Sequence, residues 1–232
     1  MGKPIKLLLF DIDGTLVLSG GAGLRAMKLA FEEVFGIRDA MADVPMAGRT
    51  DTWIFSHVAR RHALPLDEST RQRFHDAYVA HLAREVRLPG PRKGTMPGVG
   101  PLLEALAPRK DVYLALLTGN FESGARIKLE YFDLWRYFAC GAFGDHVEER
   151  NRLLPIALER VRAAGGPDAD PSDVVVIGDT PLDVAVAVAG GAKSIAVATG
   201  SHDVPALRDS GADVVLADLG DVGVVLEAIG VM

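Results

Sequence analysis

Residues 5–17 of the 232-residue chain read IKLLLFDIDGTLV, a short apolar run that stops at two aspartates and a glycine. A run of this kind, ended by an acidic turn, is typical of a strand that is buried on both faces of a parallel sheet. Comparable apolar runs recur at four later places in the chain, 112–117, 174–177, 194–198 and 213–216. The sequence therefore predicts five strands of one buried sheet.

Helical patterns follow most of these strands, at 122–131, 181–189, 203–210 and 221–229. Alternation of strand and helix predicts an α/β domain with a parallel sheet. The segment between the first two strands differs, because it shows no buried-strand pattern and has three helix-like stretches, at 22–35, 51–62 and 67–87. Turn residues bound it at 19–21 and 89–94. We predict a core domain formed by residues 1–17 and 95–232, and an inserted α-helical cap at 18–94 with hinge-like linkers.

The composition limits the classes of function. The net charge is −6, with 49% hydrophobic and 24% charged residues, which predicts a globular chain with a buried core. No basic run is long enough to follow a nucleic-acid backbone, and no apolar run is long enough to span a bilayer or to form a signal peptide. The single cysteine, Cys140, is interpreted as a packed side chain. We expect a cytoplasmic protein without a nucleic-acid or membrane partner, as a monomer or a homodimer.

Histidines are concentrated in the predicted cap, at His57, His62, His75 and His81. Neither neighbouring pair has the i,i+4 spacing that places two ligands on one helical face, and we interpret all four as surface or structural residues.

Polar side chains follow three of the predicted strands, with Asp11 and Asp13 after the first, Thr118 and Asn120 after the second, and Asp179 and Asp183 after the third. Taken singly, each aspartate could cap a helix or a turn. Ligands of an open parallel sheet bind outside the carboxyl ends of its strands, so these groups are expected to meet in one cleft. Clustered carboxylates repel each other unless a cation is present, and oxygen ligands without His or Cys favour Mg²⁺.

Such a cleft is suited to phosphate chemistry. Thr118 and the amides after it can bind phosphoryl oxygens, helped by the positive end of the helix that starts near Phe121. A carboxylate such as Asp11 can attack phosphorus, and Asp13 can protonate the leaving oxygen and later deprotonate water.

Three of these segments resemble motifs of the haloacid dehalogenase superfamily. They are Asp11-Ile12-Asp13-Gly14-Thr15-Leu16-Val17 for the first motif, Leu117-Thr118-Gly119-Asn120 for the second, and residues 176–183, VIGDTPLD, for the fourth. The helical insert resembles the cap of the branch that includes phosphoglycolate phosphatases and β-phosphoglucomutases. The resemblance extends over nearly the whole chain and implies a Rossmann-like core with an inserted α-helical cap.

The resemblance also implies roles. Asp11 would be the nucleophile and a Mg²⁺ ligand, and Asp13 the general acid and base, with its backbone carbonyl reaching the metal. Asp179 and Asp183 would complete the metal site. Thr118 would bind the transferring phosphoryl group, with Gly14, Gly119 and Asn120 around it.

The third motif departs from the family pattern, which has a lysine before the fourth motif. No lysine lies between Lys128 and Lys193, and residues 148–155, EERNRLLP, take that place. We predict that Arg150 supplies the missing cation, because arginine is always charged and can bind a phosphate through two nitrogens. Arg152 and Lys128 are the alternatives, and Arg150 could instead be a solvated residue at a helix start.

The segment Met46-Ala47-Gly48-Arg49-Thr50-Asp51 resembles the cap loop that faces the active site in this branch. Arg49 could contact an anionic part of the substrate. Equally, the segment could be a plain turn in which Thr50 or Asp51 caps the next helix.

These observations predict a Mg²⁺-dependent phosphatase that hydrolyses a small phosphorylated metabolite, a phosphoglycolate-like monoester, through an aspartyl phosphate. A β-phosphoglucomutase-like isomerase would use the same core residues. A non-catalytic protein that binds phosphate esters is favoured only by the altered third motif.

Overall fold

A computed structural model describes residues 5–231 of the chain. The strands are β1 Lys6–Phe10, β2 Val17–Leu18, β3 Gly94–Thr95, β4 Val112–Leu117, β5 Gly141–Ala142, β6 Val174–Gly178, β7 Lys193–Val197 and β8 Val214–Leu216. The α-helices are α1 Ala22–Phe35, α2 Asp51–Arg61, α3 Glu68–Glu85, α4 Val99–Leu106, α5 Glu122–Tyr131, α6 Leu153–Ala163, α7 Pro181–Gly190, α8 Val204–Asp209 and α9 Val222–Ile229. Within the described residues, no helix combines the length and apolar character needed to cross a membrane.

Six strands form one parallel sheet in the order β5-β4-β1-β6-β7-β8. Side chains of β1 alternate between the two faces, with Leu8 and Phe10 in one apolar core and Leu7 and Leu9 in the other. Helices α4, α5 and α9 cover the first face, and α6 and α7 cover the second. Because these strands are buried on both faces, they are continuous apolar runs in the sequence. The predicted α/β fold with a Rossmann-like sheet is confirmed.

The inserted helices α1, α2 and α3 pack around an apolar cluster of their own. At its centre the ring centroid of Phe74 lies 4.5 Å from that of Phe31 and 5.0 Å from that of Phe55, and all three side chains are buried. Each aromatic side chain buries a large apolar area, so this cluster gives the three helices a core of their own. The division into cap and core stays a prediction, which this separate cluster supports.

All five predicted strands occur with bounds within one residue of the expected ones, but the sequence analysis missed three two-residue strands and α4. One missed pair lies at the core ends of the predicted linkers at 19–21 and 89–94, where β2 and β3 pair antiparallel, Val17 with Thr95 and Leu18 with Gly94. The chain thus leaves and re-enters the core side by side. Two residues are too few to show the alternation by which strands are recognised.

Candidate active site

The three strands that end in polar residues are neighbours, because β1 pairs with β4 on one side and with β6 on the other. Their carboxyl ends therefore bring Asp11, Thr118 and Asp179 to one edge of the sheet. A cavity of about 380 Å³ opens there. Its lining includes these residues together with side chains of the inserted helices, such as Met27 and Tyr78. The predicted convergence in one cleft is what the structure shows.

The turn after β1 requires glycine at position 14. Gly14 has a φ of 88°, and a Cβ there would lie 2.5 Å from Oδ2 of Asp179. The Gly14 amide donates to the carbonyl of Val17 at 2.9 Å, so it is already used within the turn. A contact between Gly14 and phosphate stays a prediction.

Asp11, Asp179 and Asp183 form a buried acidic trio, with one carboxylate oxygen of each within 4.8 Å of the others. Burial, with a smaller contribution from the charge of Asp183, raises the pKa of Asp11 to about 6 against the attraction of Arg150. Burial and the charge of Asp183 raise the pKa of Asp179 well above its usual value. The trio therefore carries more negative charge than its surroundings stabilise.

Arg150 is the cation that reaches this trio. Its Nη2 lies 3.1 Å from Oδ1 of Asp11 and 2.5 Å from Oδ1 of Asp183, and its side chain is 6% exposed. Nη1 donates to the carbonyl of Gly48, in the loop of the insert, at 3.0 Å. Arg152 is exposed, so of the two arginines only Arg150 lies in the position predicted for the missing lysine.

The beginning of α7 fixes Asp183. Thr180 precedes the helix, and its amide and hydroxyl both donate to Oδ2 of Asp183, at 3.0 and 2.7 Å. This reciprocal cap satisfies backbone donors at the helix start. One oxygen of Asp183 thus belongs to the helix cap and the other to Arg150.

A second buried cation, Lys128 of α5, pairs with Asp13. Its Nζ lies 2.6 Å from Oδ2 of Asp13 and 2.6 Å from Oδ1 of Asn120. From the sequence, Lys128 is expected only as an alternative to Arg150 for the cation of the third motif. The signal was present, because Ala125, Lys128 and Leu129 share the i, i+3, i+4 face that α5 buries.

The loop of the insert meets the core directly. Thr50 caps α2 by accepting from the amide of Trp53 at 3.1 Å, as the plain-turn interpretation expected. The guanidinium carbon of Arg49 lies 4.5 Å from the ring centroid of Trp53, and Arg49 also lines the cavity. The two interpretations of this loop are thus compatible, and substrate contact by Arg49 stays a prediction.

Two further buried groups in the cavity wall, Asp51 and Tyr78, were not predicted as functional. Oδ2 of Asp51 accepts from the amide of Phe121 at 2.8 Å, and burial raises the pKa of Asp51 to about 7. The hydroxyl of Tyr78 is buried, and no partner for it is found among the described residues. Burial also raises the pKa of Tyr78 well above its usual value.

The family model of haloacid dehalogenase-like hydrolases matches residues 8–187. The chain belongs to this family. The hydrolase is 30% identical to a phosphoglycolate phosphatase of Chromobacterium violaceum over 94% of this chain and 95% of that protein. It is 29% identical to a phosphoglycolate phosphatase of Rhodospirillum rubrum over 94% of this chain and 89% of that protein. The crystal structure of a predicted phosphatase from Clostridium acetobutylicum shares the fold, with a TM-score of 0.70, 20% identity, and coverage of 97% of this chain and all of the other.

These comparisons confirm the resemblance to the haloacid dehalogenase superfamily and the prediction of a phosphoric monoester hydrolase. The alternative of a non-catalytic binding protein is correspondingly disfavoured. The roles of individual residues are not tested by them and remain predictions.

The donor set of the hydrolase fits a divalent metal ion. Four carboxylates, those of Asp11, Asp13, Asp179 and Asp183, face two cations, Arg150 and Lys128. The surplus of two negative charges is what one Mg²⁺ would balance, and hard oxygen ligands suit that ion. Asp11 and Asp179 could ligate it directly, whereas the oxygens of Asp183 already bind Arg150 and Thr180.

The four histidines of the insert lie outside this site. Nε2 of His75 lies 2.9 Å from Oγ of Ser123, and Nε2 of His81 lies 2.7 Å from a carboxylate oxygen of Glu33.

Cys140 is partly buried, and burial raises the pKa of its thiol, as in a packed rather than a reactive cysteine.

Proposed function

We propose that this hydrolase cleaves a small, phosphoglycolate-like phosphate monoester through an aspartyl phosphate on Asp11, with Mg²⁺ as its cofactor. The observation that carries the proposal is the position of Asp11. Its carboxylate lies at the end of the central strand, faces the cavity and lies beside Arg150 and two further carboxylates. A buried carboxylate held next to a cation in a cleft is suited to nucleophilic attack on a phosphate ester.

In the first step, a carboxylate oxygen of Asp11 bonds to phosphorus while the ester P–O bond breaks. Asp13 gives its proton to the leaving oxygen, which departs as an alcohol. In the second step, water gives a proton to Asp13 and its oxygen bonds to phosphorus as the bond to Asp11 breaks. Phosphate leaves, and Asp11 is again a carboxylate.

The residues around Asp11 are placed to stabilise the negative charge on the phosphoryl group during its transfer. Thr118 is buried at the end of β4, and its hydroxyl accepts from the side-chain amide of Asn120 at 2.8 Å and donates to the carboxylate of Asp11. The same hydroxyl could donate to a phosphoryl oxygen bound beside Asp11. Arg150 brings a fixed positive charge to the same side. Bound at Asp11 and Asp179, with the carbonyl of Asp13 and support from Asp183, Mg²⁺ would supply further positive charge for the phosphoryl oxygens.

The substrate class is inferred from the relatives and from the cavity. Two relatives are named as phosphoglycolate phosphatases, and a cavity of about 380 Å³ accommodates a monoester of that size. Arg49 and Arg92 line it and could meet an anionic group on the leaving alcohol. We also expect the protein to act in the cytoplasm, as a monomer or a homodimer.

The test is phosphate release from a panel of phosphorylated metabolites and an aryl phosphate, with Mg²⁺, with EDTA, and with Asp11→Asn. We expect Mg²⁺-dependent turnover that Asp11→Asn abolishes, while the matched surface variant Asp168→Asn retains it. Isomerisation of β-glucose 1-phosphate much faster than phosphate release would favour the mutase alternative. Tight ester binding without turnover of any panel member would contradict the proposal.

A further inference from the structure

Lys128 is held in one position inside the hydrolase. Its side chain is 5% exposed, and Nζ lies 2.6 Å from both Oδ2 of Asp13 and Oδ1 of Asn120. Burial of an ammonium is costly unless oxygen atoms accept its hydrogen bonds, so these two contacts hold Lys128 in place. The exposed fraction of the Asp13 side chain is 39%, so Lys128 approaches Asp13 from the protein side.

Asn120 connects this pair to the phosphoryl-binding side. Its Nδ2 donates to Oδ2 of Asp13 at 2.9 Å and to the hydroxyl of Thr118 at 2.8 Å. Because Lys128 only donates, it fixes the amide with the oxygen towards itself and the nitrogen towards Asp13. The ammonium therefore sets the orientation of two side chains.

Both donors end on the same oxygen of Asp13, Oδ2. Two donors occupy Oδ2, so Oδ1 is the oxygen that is left to face a further hydrogen-bonding group. Oδ1 is therefore the oxygen through which Asp13 can exchange a proton with the substrate.

We propose that Lys128 is a positioning residue that, together with Asn120, holds Asp13 by Oδ2 and presents Oδ1 to the leaving group. The inference rests on the proposed function, in which Asp13 gives its proton to the ester oxygen as the P–O bond breaks. In this proposal Lys128 acts through Asp13 and makes no contact with phosphorus or the leaving group. Its removal leaves Asp13 held at Oδ2 only by Asn120, whose own amide is then no longer fixed by Lys128.

The leaving group provides a test that a purely structural role would not pass. An alkyl alcohol leaves slowly without a proton, whereas 2,4-dinitrophenolate leaves readily without one. Loss of a well-placed acid should thus affect only alkyl esters, by about 100-fold or more. The quantity to compare is kcat/KM, because it reports the steps up to departure of the leaving group.

We expect Lys128→Met to lower kcat/KM for the best alkyl phosphate of the panel about 100-fold and for 2,4-dinitrophenyl phosphate less than about fivefold. Asp13→Asn should show the same pattern, and Lys128→Met should have no added effect in the Asp13→Asn background. The matched control is Lys193→Met, a lysine at the start of β7, which should change neither rate. Equal losses on the two esters, or no loss on either, would overturn the inference.

Circular dichroism checks that Lys128→Met folds. If it does not, Lys128→Gln is tested instead, because glutamine keeps a donor towards Asp13. Its loss of kcat/KM should be smaller than that expected for Lys128→Met, but again greater for the alkyl phosphate than for 2,4-dinitrophenyl phosphate. An equal loss for the two esters would then overturn the inference. Failure of the proposed function would look different, because the wild-type protein would release phosphate from neither ester.

Discussion

Nη2 of Arg150 lies 3.1 Å from Oδ1 of Asp11, although the two residues are far apart in the sequence. The same guanidinium bonds to Asp183 in the core and to the carbonyl of Gly48 in the insert. One side chain therefore neutralises the predicted nucleophile and joins the loop of the insert to the site. A single ammonium could not present two separated nitrogens to these partners at once, which gives arginine a physical advantage at this position.

Arg150→Ala should reduce kcat for phosphate release by at least about 100-fold, because the transferring phosphoryl group loses a fixed charge. Steady-state kinetics on the best panel substrate measure this. The exposed neighbour Arg152 provides the control, since Arg152→Ala should stay within about twofold of the wild type. The kcat of Arg150→Lys should fall between that of Arg150→Ala and that of the wild type. Near-normal activity of Arg150→Ala would refute the assignment of Arg150 to the third motif.

Mg²⁺ should raise the melting temperature of the wild-type protein, because it binds the folded acidic trio and relieves its repulsion. Asp179→Asn should remove most of this increase and, in EDTA, should itself be more stable than the wild type. Differential scanning fluorimetry in EDTA and at millimolar Mg²⁺ gives both comparisons. The surface variant Asp168→Asn is the control and should keep the full increase. The proposed metal site would be contradicted if Mg²⁺ raised the melting temperature of Asp179→Asn as much as that of this control.

Asp51 should make the folded protein less stable as the pH rises from about 4 to about 7. The pKa of Asp51 is raised from 3.8 to about 7 in the folded protein, mainly by burial. In this window the unfolded chain has released the proton that the folded chain keeps, so the free energy of unfolding falls as the pH rises and levels off above about 7.

Asp51→Asn removes this dependence while keeping an oxygen for the amide of Phe121. Its stability relative to the wild type should therefore improve by about 2 kcal/mol between pH 5 and pH 7.5, measured by urea unfolding in EDTA. Asp213 has a lowered pKa, mainly because the amide of Ser194 donates to it. Asp213→Asn should show no such trend in this window, and a flat difference for Asp51→Asn would disprove the prediction.

Arg49→Ala should raise KM about tenfold for a monoester with a second anionic group, because Arg49 lines the cavity from the insert. It should leave KM nearly unchanged for an alkyl phosphate whose alkyl group carries no charge. The control is Arg38→Ala, an arginine of the insert whose side chain is 84% exposed. Equal KM values for Arg49→Ala and the wild type on both substrates would assign Arg49 only to its packing on Trp53.

The sheet and the acidic side of the site could be predicted from the amino-acid sequence alone. Apolar runs end at Asp11, Thr118 and Asp179, and alternation of strands with helices requires those ends to lie at one edge of a parallel sheet. Such patterns are local and periodic, so they can be recognised without coordinates. The two-residue strands β2, β3 and β5 were missed because they are too short to show a period.

The pairing of each cation with its carboxylate could not be predicted from local sequence patterns and follows from the packing of the folded chain. The sequence favours Arg150 and leaves Arg152 and Lys128 open as alternatives. In the folded chain Arg150 reaches Asp11, Arg152 faces solvent and Lys128 reaches Asp13. The physical reason is that charge pairing depends on helix direction and depth, which arise when distant segments pack together. Local patterns place a residue on an element, and packing then determines which partner lies within hydrogen-bonding distance.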